Sequence, residues 1–295
     1  MKTTVKTSDA RVRRSSALFV SISLIFALTA PWRVMAGEMG KLYVVGMGPA
    51  GPDLTAPRAL AVVKKADVLL CSPRMPKRFA AFGRAIDSGK VAFDPWKRIF
   101  TKKLQQLKRS NPKAWSQQME ERRREIQEFI LEQIHKGKTV AMMDGGDPCV
   151  YGPSLQYILK GFDDSLFEVI PGMGAVNAAA AALKRPLTSE DTRFVMLMSY
   201  ESLFGDKTEP QGNLLRDISK YKSTLVLYMS LRSMKDLVER LSKYYPSVLP
   251  VAVVYYAGYA DKETVVRATL RTIAEETWKM DETWLGLVII GEGAR

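Results

Sequence analysis

A chain of 295 residues, 46% apolar and 25% charged, suits a globular protein of one large or two ordinary domains, with ample length to bury a core. The net charge of +13 is uneven: residues 1–36 carry about +5, residues 74–113 about +10, and the remainder is close to neutral, so one basic patch rather than a basic protein needs explaining. Two cysteines without a CxxC, and a single histidine, His135, exclude a Cys/His zinc site and a covalently attached haem, and no metal site is expected.

Residues 1–36 have the three parts of a secretory signal. Arg11, Arg13 and Arg14 form a basic region, Ala17 to Ala30 an apolar core, and Val34-Met35-Ala36 a small-residue cleavage site before Gly37. The apolar core falls short of the roughly 20 residues a spanning helix needs. A cleaved signal is the first reading and an uncleaved membrane anchor the second. Arg13-Arg14 partly resembles a twin-arginine signal, against the plainer reading of a basic leader. The protein is accordingly expected outside the cytoplasm or anchored to its membrane, with a cytoplasmic location as the alternative.

The folded part opens with a βαβ unit. Leu42 to Val45 reads as a strand and Gly46-Met47-Gly48-Pro49 as a turn. A helix follows from Pro57, with Leu60, Val63 and Ala66 on one face, and then a strand from Val68 to Cys71. This is not the dinucleotide fingerprint, because the third glycine and the acidic residue after strand two are missing. No Gly-Lys-Ser/Thr is present, so a phosphate-cradling loop is excluded as well.

The basic segment 74–113 comes next, with Phe79, Phe82, Phe93, Trp96 and Phe100 interleaved, and residues 114–135 read as a helix. The apolar run Val140 to Met143 reads as a buried strand that stops at Asp144-Gly145-Gly146-Asp147-Pro148. Two glycines allow a sharp turn and close approach of a ligand, and Asp147 stands at a strand's carboxyl end, where open α/β sheets bind ligands. Taken alone, the stretch could equally be an ordinary strand-to-helix turn, with a helix from Tyr151-Gly152-Pro153 to about Gly161. A strand from Phe167 to Ile170 leads into Pro171-Gly172-Met173-Gly174-Ala175 and the strongly helical VNAAAAALK.

After a linker near 184–191, Thr192 to Met198 begins a second series of strands, continued at 223–229, 250–256 and 285–291. Helices are expected near 212–220 and 233–244, and Thr264 to Ile273 is expected to pair antiparallel. The fold class is therefore α/β, with two α/β domains: 37–188, carrying the basic insertion 74–113, and 189–295. Cys71 and Cys149 read as buried free thiols at strand ends, with a disulfide between them as the alternative in an exported protein.

Four pieces together resemble the tetrapyrrole methylase family, whose members use S-adenosylmethionine (SAM). They are VGMGPAGPDLTAPRAL with KKADVLL, GGDPCVYG, VIPGMGAVNAAAAALKRPLT, and LVLYMS with PVAVVYYAGYADKETVV. The resemblance implies two α/β domains with SAM in the cleft between them, and a homodimer. It places Pro49, Gly145, Gly146, Asp147, Val150, Gly174, Ala175, Met229 and Ala257 on the cofactor. Simple core packing is the alternative for Val150 and Met229. The sequence departs from the family where Ala50-Gly51 follow the first-loop proline, and from its uroporphyrinogen-type members where Ser72 stands in place of an Asp thought to accept a proton. The catalytic base is thus unassigned, with Tyr151 and Asp53 as guesses and His135 read as structural.

The resemblance further implies an anionic tetrapyrrole substrate of the cobalamin or sirohaem type. Arg74, Lys77, Arg78, Lys97 and Arg98, with Tyr151, are candidate substrate contacts, since guanidinium and ammonium groups bind carboxylates and aromatics cover a macrocycle face. A solvated lobe or a contact with an anionic membrane is the alternative use of the basic segment. No nucleic-acid-binding module is recognisable, which sets aside RNA as a partner. The second functional expectation is an exported, non-catalytic tetrapyrrole- or SAM-binding protein of the same fold.

Overall fold

The first strands are continuous apolar runs, and successive side chains along each point to opposite faces of the sheet. The computed structural model describes residues 39–81, 83, 86–204 and 211–295, so the leader and Phe82 lie outside the described residues. Gly37–Arg295 forms one compact unit. Its first half builds a parallel five-stranded sheet from β1 (Leu42–Gly46), β2 (Val68–Leu70), β3 (Val91–Phe93), β4 (Val140–Asp144) and β5 (Phe167–Ile170), in the order β3-β2-β4-β1-β5. Leu42, Val44, Leu70, Val140 and Met142 face one side, and Val45, Leu69, Ala141 and Met143 the other. Such continuous burial is what a parallel sheet covered on both faces requires.

The helices of this half are α1 (Pro57–Lys65), α2 (Arg74–Ala80), α3 (Pro95–Ile99), α4 (Lys102–Ser110) and α5 (Pro112–His135). Proline occupies the first turn of α1, α3 and α5, where its missing N–H costs nothing. Asp94, Thr101 and Asn111 cap α3, α4 and α5 by accepting from backbone N–H groups. Ile126, Ile130 and Ile134 of α5 pack with Ile99 and Leu104 on one face of the sheet. Ala59 and Val63 of α1 pack with Met75 and Phe79 of α2 on the other.

The basic segment is therefore not one lobe. It contributes the edge strand β3, puts α2 on one face of the sheet, and puts α3 and α4 on the opposite face. Its aromatics differ in burial: Phe79 is fully buried, Phe93 is half-buried and stacks edge-on against Phe129 at 5.0 Å, and Phe100 is exposed while meeting Tyr157 at 5.2 Å. The helix expected from Tyr151 is a single π-turn, Ser154–Ile158, closed by Leu159 N–H donating to Ser154 O at 2.9 Å.

The second sheet contains β6 (Val195–Ser199), β7 (Thr224–Tyr228), β8 (Pro250–Tyr255), β9 (Thr264–Thr269) and β10 (Gly286–Gly291), ordered β6-β7-β10-β8-β9. It is mixed: β6 and β7 are parallel, while β10 runs antiparallel to β7 and β8, and β9 antiparallel to β8. The remaining helices are α6 (Ala175–Leu183), α7 (Tyr200–Phe204), α8 (Gln211–Ile218), α9 (Met234–Leu241) and α10 (Ile273–Trp278). One face of this sheet is covered by Leu215 and Ile218 of α8, Met234, Leu237 and Leu241 of α9, and Ile273 of α10. The other is covered by α6, whose Ala179 and Leu183 pack on Val226, Ala252, Val254, Leu287 and Ile289. Although α6 follows the last strand of the first sheet, it is a cover of the second. The Pro171–Gly174 turn before it therefore lies where the two sheets join.

Among the described residues no helix is long and apolar enough to cross a membrane. Cys71 and Cys149 are both free. Cys71 is buried as expected, and burial, with Asp94 nearby, pushes its thiol up to about 12. Cys149 is exposed on the turn after β4 rather than buried at a strand end.

Candidate functional site

Parallel strands deliver the loops after β1, β4 and β5 to one edge of the first sheet, and glycine lets them pack backbone against backbone. Gly48 N–H donates to Gly146 O at 3.2 Å and Gly146 N–H returns a bond to Gly48 O at 2.7 Å. Both residues have positive φ, +74° and +84°, which only glycine adopts without cost. A Cβ on Gly46 would lie 2.4 Å from Gly172 N, and one on Gly172 would lie 2.3 Å from Gly146 O. The three turns thus form a closed stack. Thr55 staples the first from behind, its hydroxyl donating to Met47 O at 2.6 Å.

Open space lies against that stack. A Cβ added at Gly145 or Gly146 would meet nothing within 4 Å. Asp147 is half-buried beside them, one carboxylate oxygen accepting from Cys149 N–H at 3.0 Å. Gly174 lies against Asp147, a Cβ there falling 4.0 Å from the Asp147 Cβ. Ala175 and Val176 begin α6 and pack toward the second sheet.

The second sheet sends its own strand ends to the same place. Tyr228, the last residue of β7, stacks on Tyr151 with ring centroids 4.8 Å apart. Met229 follows it, 48% exposed. After β8, Ala257 is half-buried, and a Cβ on Gly258 would lie 3.4 Å from Pro49 Cγ. Pro49, Gly145, Gly146, Asp147, Tyr151, Gly174, Ala175, Met229 and Ala257 are thereby gathered on adjoining loops, with Val150 half-buried on the same turn as Asp147. Tyr151, Met229 and Tyr256 all have positive φ, between +51° and +57°. Side-chain-bearing residues enter that region rarely, and such outliers concentrate at ligand sites.

Two groups here had no sequence motif. Asp144 ends β4 with no exposure, and burial raises its carboxyl to about 6 even though Ser154 Oγ donates to it at 2.6 Å. That bond ties the start of the π-turn to β4 and so fixes the Tyr151 segment between them. The only signal was an Asp closing a wholly apolar run. The Tyr228 hydroxyl is also buried, with no well-formed hydrogen bond among the described residues, and burial pushes its phenol up to about 12 against a weak opposing contact with the Val176 backbone.

The candidate substrate residues divide. Arg78 of α2 reaches across to the loop after β8, its Nη1 donating to the Tyr259 hydroxyl at 2.9 Å. Its Nε and Nη2 are buried without partners among the described residues. Arg74 and Lys77 are exposed on the same helix. Lys97 and Arg98, on α3, edge a separate depression of about 440 Å³ with Pro73, Phe93 and Asp94, and Arg98 stacks 3.9 Å above Phe93. The five cations therefore do not form one clamp.

The base guesses divide as well. Tyr151 is at the cluster, whereas Asp53 is exposed on the turn Pro52–Leu54. Ser72 Oγ accepts from Arg74 N–H at 3.4 Å. His135 ends α5 ahead of β4, at the opposite edge of the sheet from the clustered loops.

A family model described as tetrapyrrole (corrin/porphyrin) methylases matches residues 41–274. The cobalt-precorrin-4 C(11)-methyltransferase of Methanocaldococcus jannaschii is 27% identical over 257 residues, covering 85% of this chain and 87% of that protein. The uroporphyrinogen-III C-methyltransferase of Priestia megaterium is 26% identical over 261 residues, covering 86% and 98%. Among solved structures, a cobalt precorrin-4 methyltransferase of cobalamin biosynthesis gives a TM-score of 0.67 at 24% identity, over 86% of this chain and 96% of that one. The uroporphyrin-III C-methyltransferase of Thermus thermophilus, complexed with S-adenosylhomocysteine, gives 0.58 at 23% identity, over 86% and 98%. The structural likenesses show a shared fold. The family match spans both sheets and every loop of the cluster but the last strand, and this chain belongs to the tetrapyrrole (corrin/porphyrin) methylase family.

Proposed function

We propose that the domain 37–295 transfers a methyl group from SAM to a ring carbon of a polycarboxylate tetrapyrrole. The supporting observation is the open space over Gly145 and Gly146, bounded by loops from both sheets in a chain of this family. The residues present fit SAM. Glycines admit close approach, the Asp147 carboxylate can accept from a ribose hydroxyl, and Val150, Met229 and Ala257 offer apolar walls to an adenine. When bound, SAM supplies an electrophilic methyl on a sulfonium. The chain's part is to hold the acceptor carbon in line with that methyl and to exclude water, by positioning rather than covalent chemistry. The acceptor carbon then loses a proton. Asp147, Tyr151 and Tyr228 are the titratable side chains at the cluster, and Ser72 carries no carboxylate.

Calorimetry with S-adenosylhomocysteine tests cofactor binding directly. A folded sample that binds neither it nor SAM would end the enzyme reading. Nothing in the comparisons supports the non-catalytic alternative, and a cofactor cradle is not something a pure macrocycle binder needs.

Three finer points belong to the same proposal. The two sheets act as two domains, 37–188 and 189–295, and the protein works as a homodimer, which light scattering can check. Residues 1–36 are removed after Ala36 and direct the chain out of the cytoplasm. N-terminal sequencing of the native protein decides this, and an intact Met1 in a cytosolic fraction would refute export.

A further inference from the structure

Exposed aromatic surface gathers at the cofactor end of the second sheet rather than in the basic segment. Strands β7 and β8 finish at this end, and β10, which runs the other way, starts here, with Gly286 opposite Tyr255. Trp284, just before β10, is 55% exposed, and the Arg232 guanidinium lies 5.3 Å from its ring centroid. Tyr256 N–H donates to the neighbouring Leu285 O at 2.9 Å. The Tyr256 ring meets the Tyr259 ring edge-on at 5.9 Å, and the Tyr259 hydroxyl accepts from Arg78. The contacts make two runs, Arg232–Trp284 and Tyr256–Tyr259–Arg78, joined through the backbone bond from Tyr256 to Leu285, with a guanidinium at each outer end. They adjoin the loops of the candidate site through Met229, between Tyr228 and the turn that carries Arg232.

Two of the nearby carboxylates, Glu282 and Glu263, are already engaged, while Asp236 and Glu239 line a depression beside Arg232. Glu282 accepts from the N–H groups of Trp284 and Leu285, and Glu263 accepts from Gly258 N–H at 2.7 Å. Burial alone would raise the Glu282 carboxyl, but hydrogen bonds from Tyr256, Leu285 and Trp284 outweigh it and hold it below the usual range. Both acids therefore brace the loops instead of opposing an anion. At the far end, Arg78 Nε and Nη2 have no partner among the described residues, a costly state for a buried guanidinium that a carboxylate would relieve.

We infer that the two runs together form the platform for the macrocycle. The flat ring system lies on Trp284 and Tyr256, and peripheral carboxylates pair with Arg232 at one end and Arg78 at the other. Admitting the second carboxylate requires the Tyr259 loop to move off Arg78. This rests on the tetrapyrrole reading above and assigns its substrate surface to the second sheet, with Lys97 and Arg98 outside it.

The test uses uroporphyrin, an octacarboxylate porphyrin, titrated by visible absorbance, with S-adenosylhomocysteine binding measured in parallel on each variant. Trp284→Ala is expected to weaken uroporphyrin at least about tenfold, and Trp284→Phe to recover most of the loss, while cofactor affinity stays within about twofold. Arg232→Gln and Arg78→Gln are each expected to weaken it about threefold to tenfold, Arg78→Gln the more salt-resistant because its site is shielded. Wild-type affinity in Trp284→Ala and Arg232→Gln would overturn the platform while leaving the tetrapyrrole reading intact. So would a loss confined to Lys97→Gln and Arg98→Gln. A wild-type protein that binds S-adenosylhomocysteine but no polycarboxylate porphyrin would overturn both.

Discussion

Gly145 and Gly172 lie a few ångströms apart in the same group of turns, yet a side chain should do opposite things at the two positions. At Gly145 an added Cβ meets nothing within 4 Å, and φ is not in the left-handed region. Gly145→Val should therefore leave the unfolding free energy within about 0.5 kcal/mol of wild type. Its methyl groups would instead occupy the space proposed for SAM, weakening S-adenosylhomocysteine at least about tenfold, or about 1.4 kcal/mol. At Gly172 the added Cβ falls 2.3 Å from Gly146 O and 2.7 Å from Gly46 C, both backbone atoms that cannot swing aside. Gly172→Ala should cost about 3 kcal/mol, the upper end for overpacking, and lower Tm by about 6–12 °C. Gly146→Val is a poorer probe, because its φ of +84° adds about 1–2 kcal/mol of strain to any occlusion. Isothermal calorimetry and scanning calorimetry on the first pair separate the two effects. Wild-type cofactor affinity in a folded Gly145→Val would refute the placement of the site, and an unchanged Tm in Gly172→Ala would refute the backbone stack.

Other consequences follow from single groups. Burial raises the Asp144 carboxyl from 3.8 to about 6, so the folded state holds its proton more tightly than the unfolded chain does. Wild type should then lose stability on the order of 2–3 kcal/mol as pH rises from about 4 through about 6, and Asp144→Asn should escape that loss in urea unfolding at several pH values. Parallel pH curves for the two proteins would contradict it. The Tyr228 hydroxyl makes no well-formed hydrogen bond among the described residues, so Tyr228→Phe should be as stable as wild type or up to about 1 kcal/mol more so, since the ring contact with Tyr151 survives. A loss above about 1 kcal/mol by denaturant titration would show that the hydroxyl is bonded. Cys71, pushed up to about 12, should resist a thiol reagent that labels exposed Cys149 in the native protein, as peptide mass spectrometry can show.

Much of this architecture was legible because burial writes itself into sequence. Val140–Met143 is wholly apolar and forms the central strand, and the periodic Ile126, Ile130 and Ile134 place α5. The loops of the candidate site were legible through glycine, since Gly48 and Gly146 need positive φ and Gly46 and Gly172 need zero volume. Strand β3 escaped because three residues, Val91–Phe93, are too few to show a period inside a basic stretch. The π-turn at 154–158 escaped because its cause is one long-range bond, Ser154 to Asp144, rather than a local pattern. Charge misled most: the cations of 74–113 are close in sequence, but β3 and the sheet separate Arg78 from Lys97 and Arg98. The aromatic runs at Trp284 and Tyr256 join residues from different strands, and no spacing along the chain announces them.

The central claim is methyl transfer, and one measurement meets it directly. Purified domain 37–295 is incubated anaerobically with SAM and a reduced octacarboxylate porphyrinogen, and both products are followed by mass spectrometry. The expected result is a tetrapyrrole heavier by one methyl-for-hydrogen exchange, appearing in step with S-adenosylhomocysteine and abolished in Gly145→Val. Binding of both ligands with no methylated product from this or any other reduced polycarboxylate tetrapyrrole offered would contradict it, and would leave a binding protein built on a methylase fold.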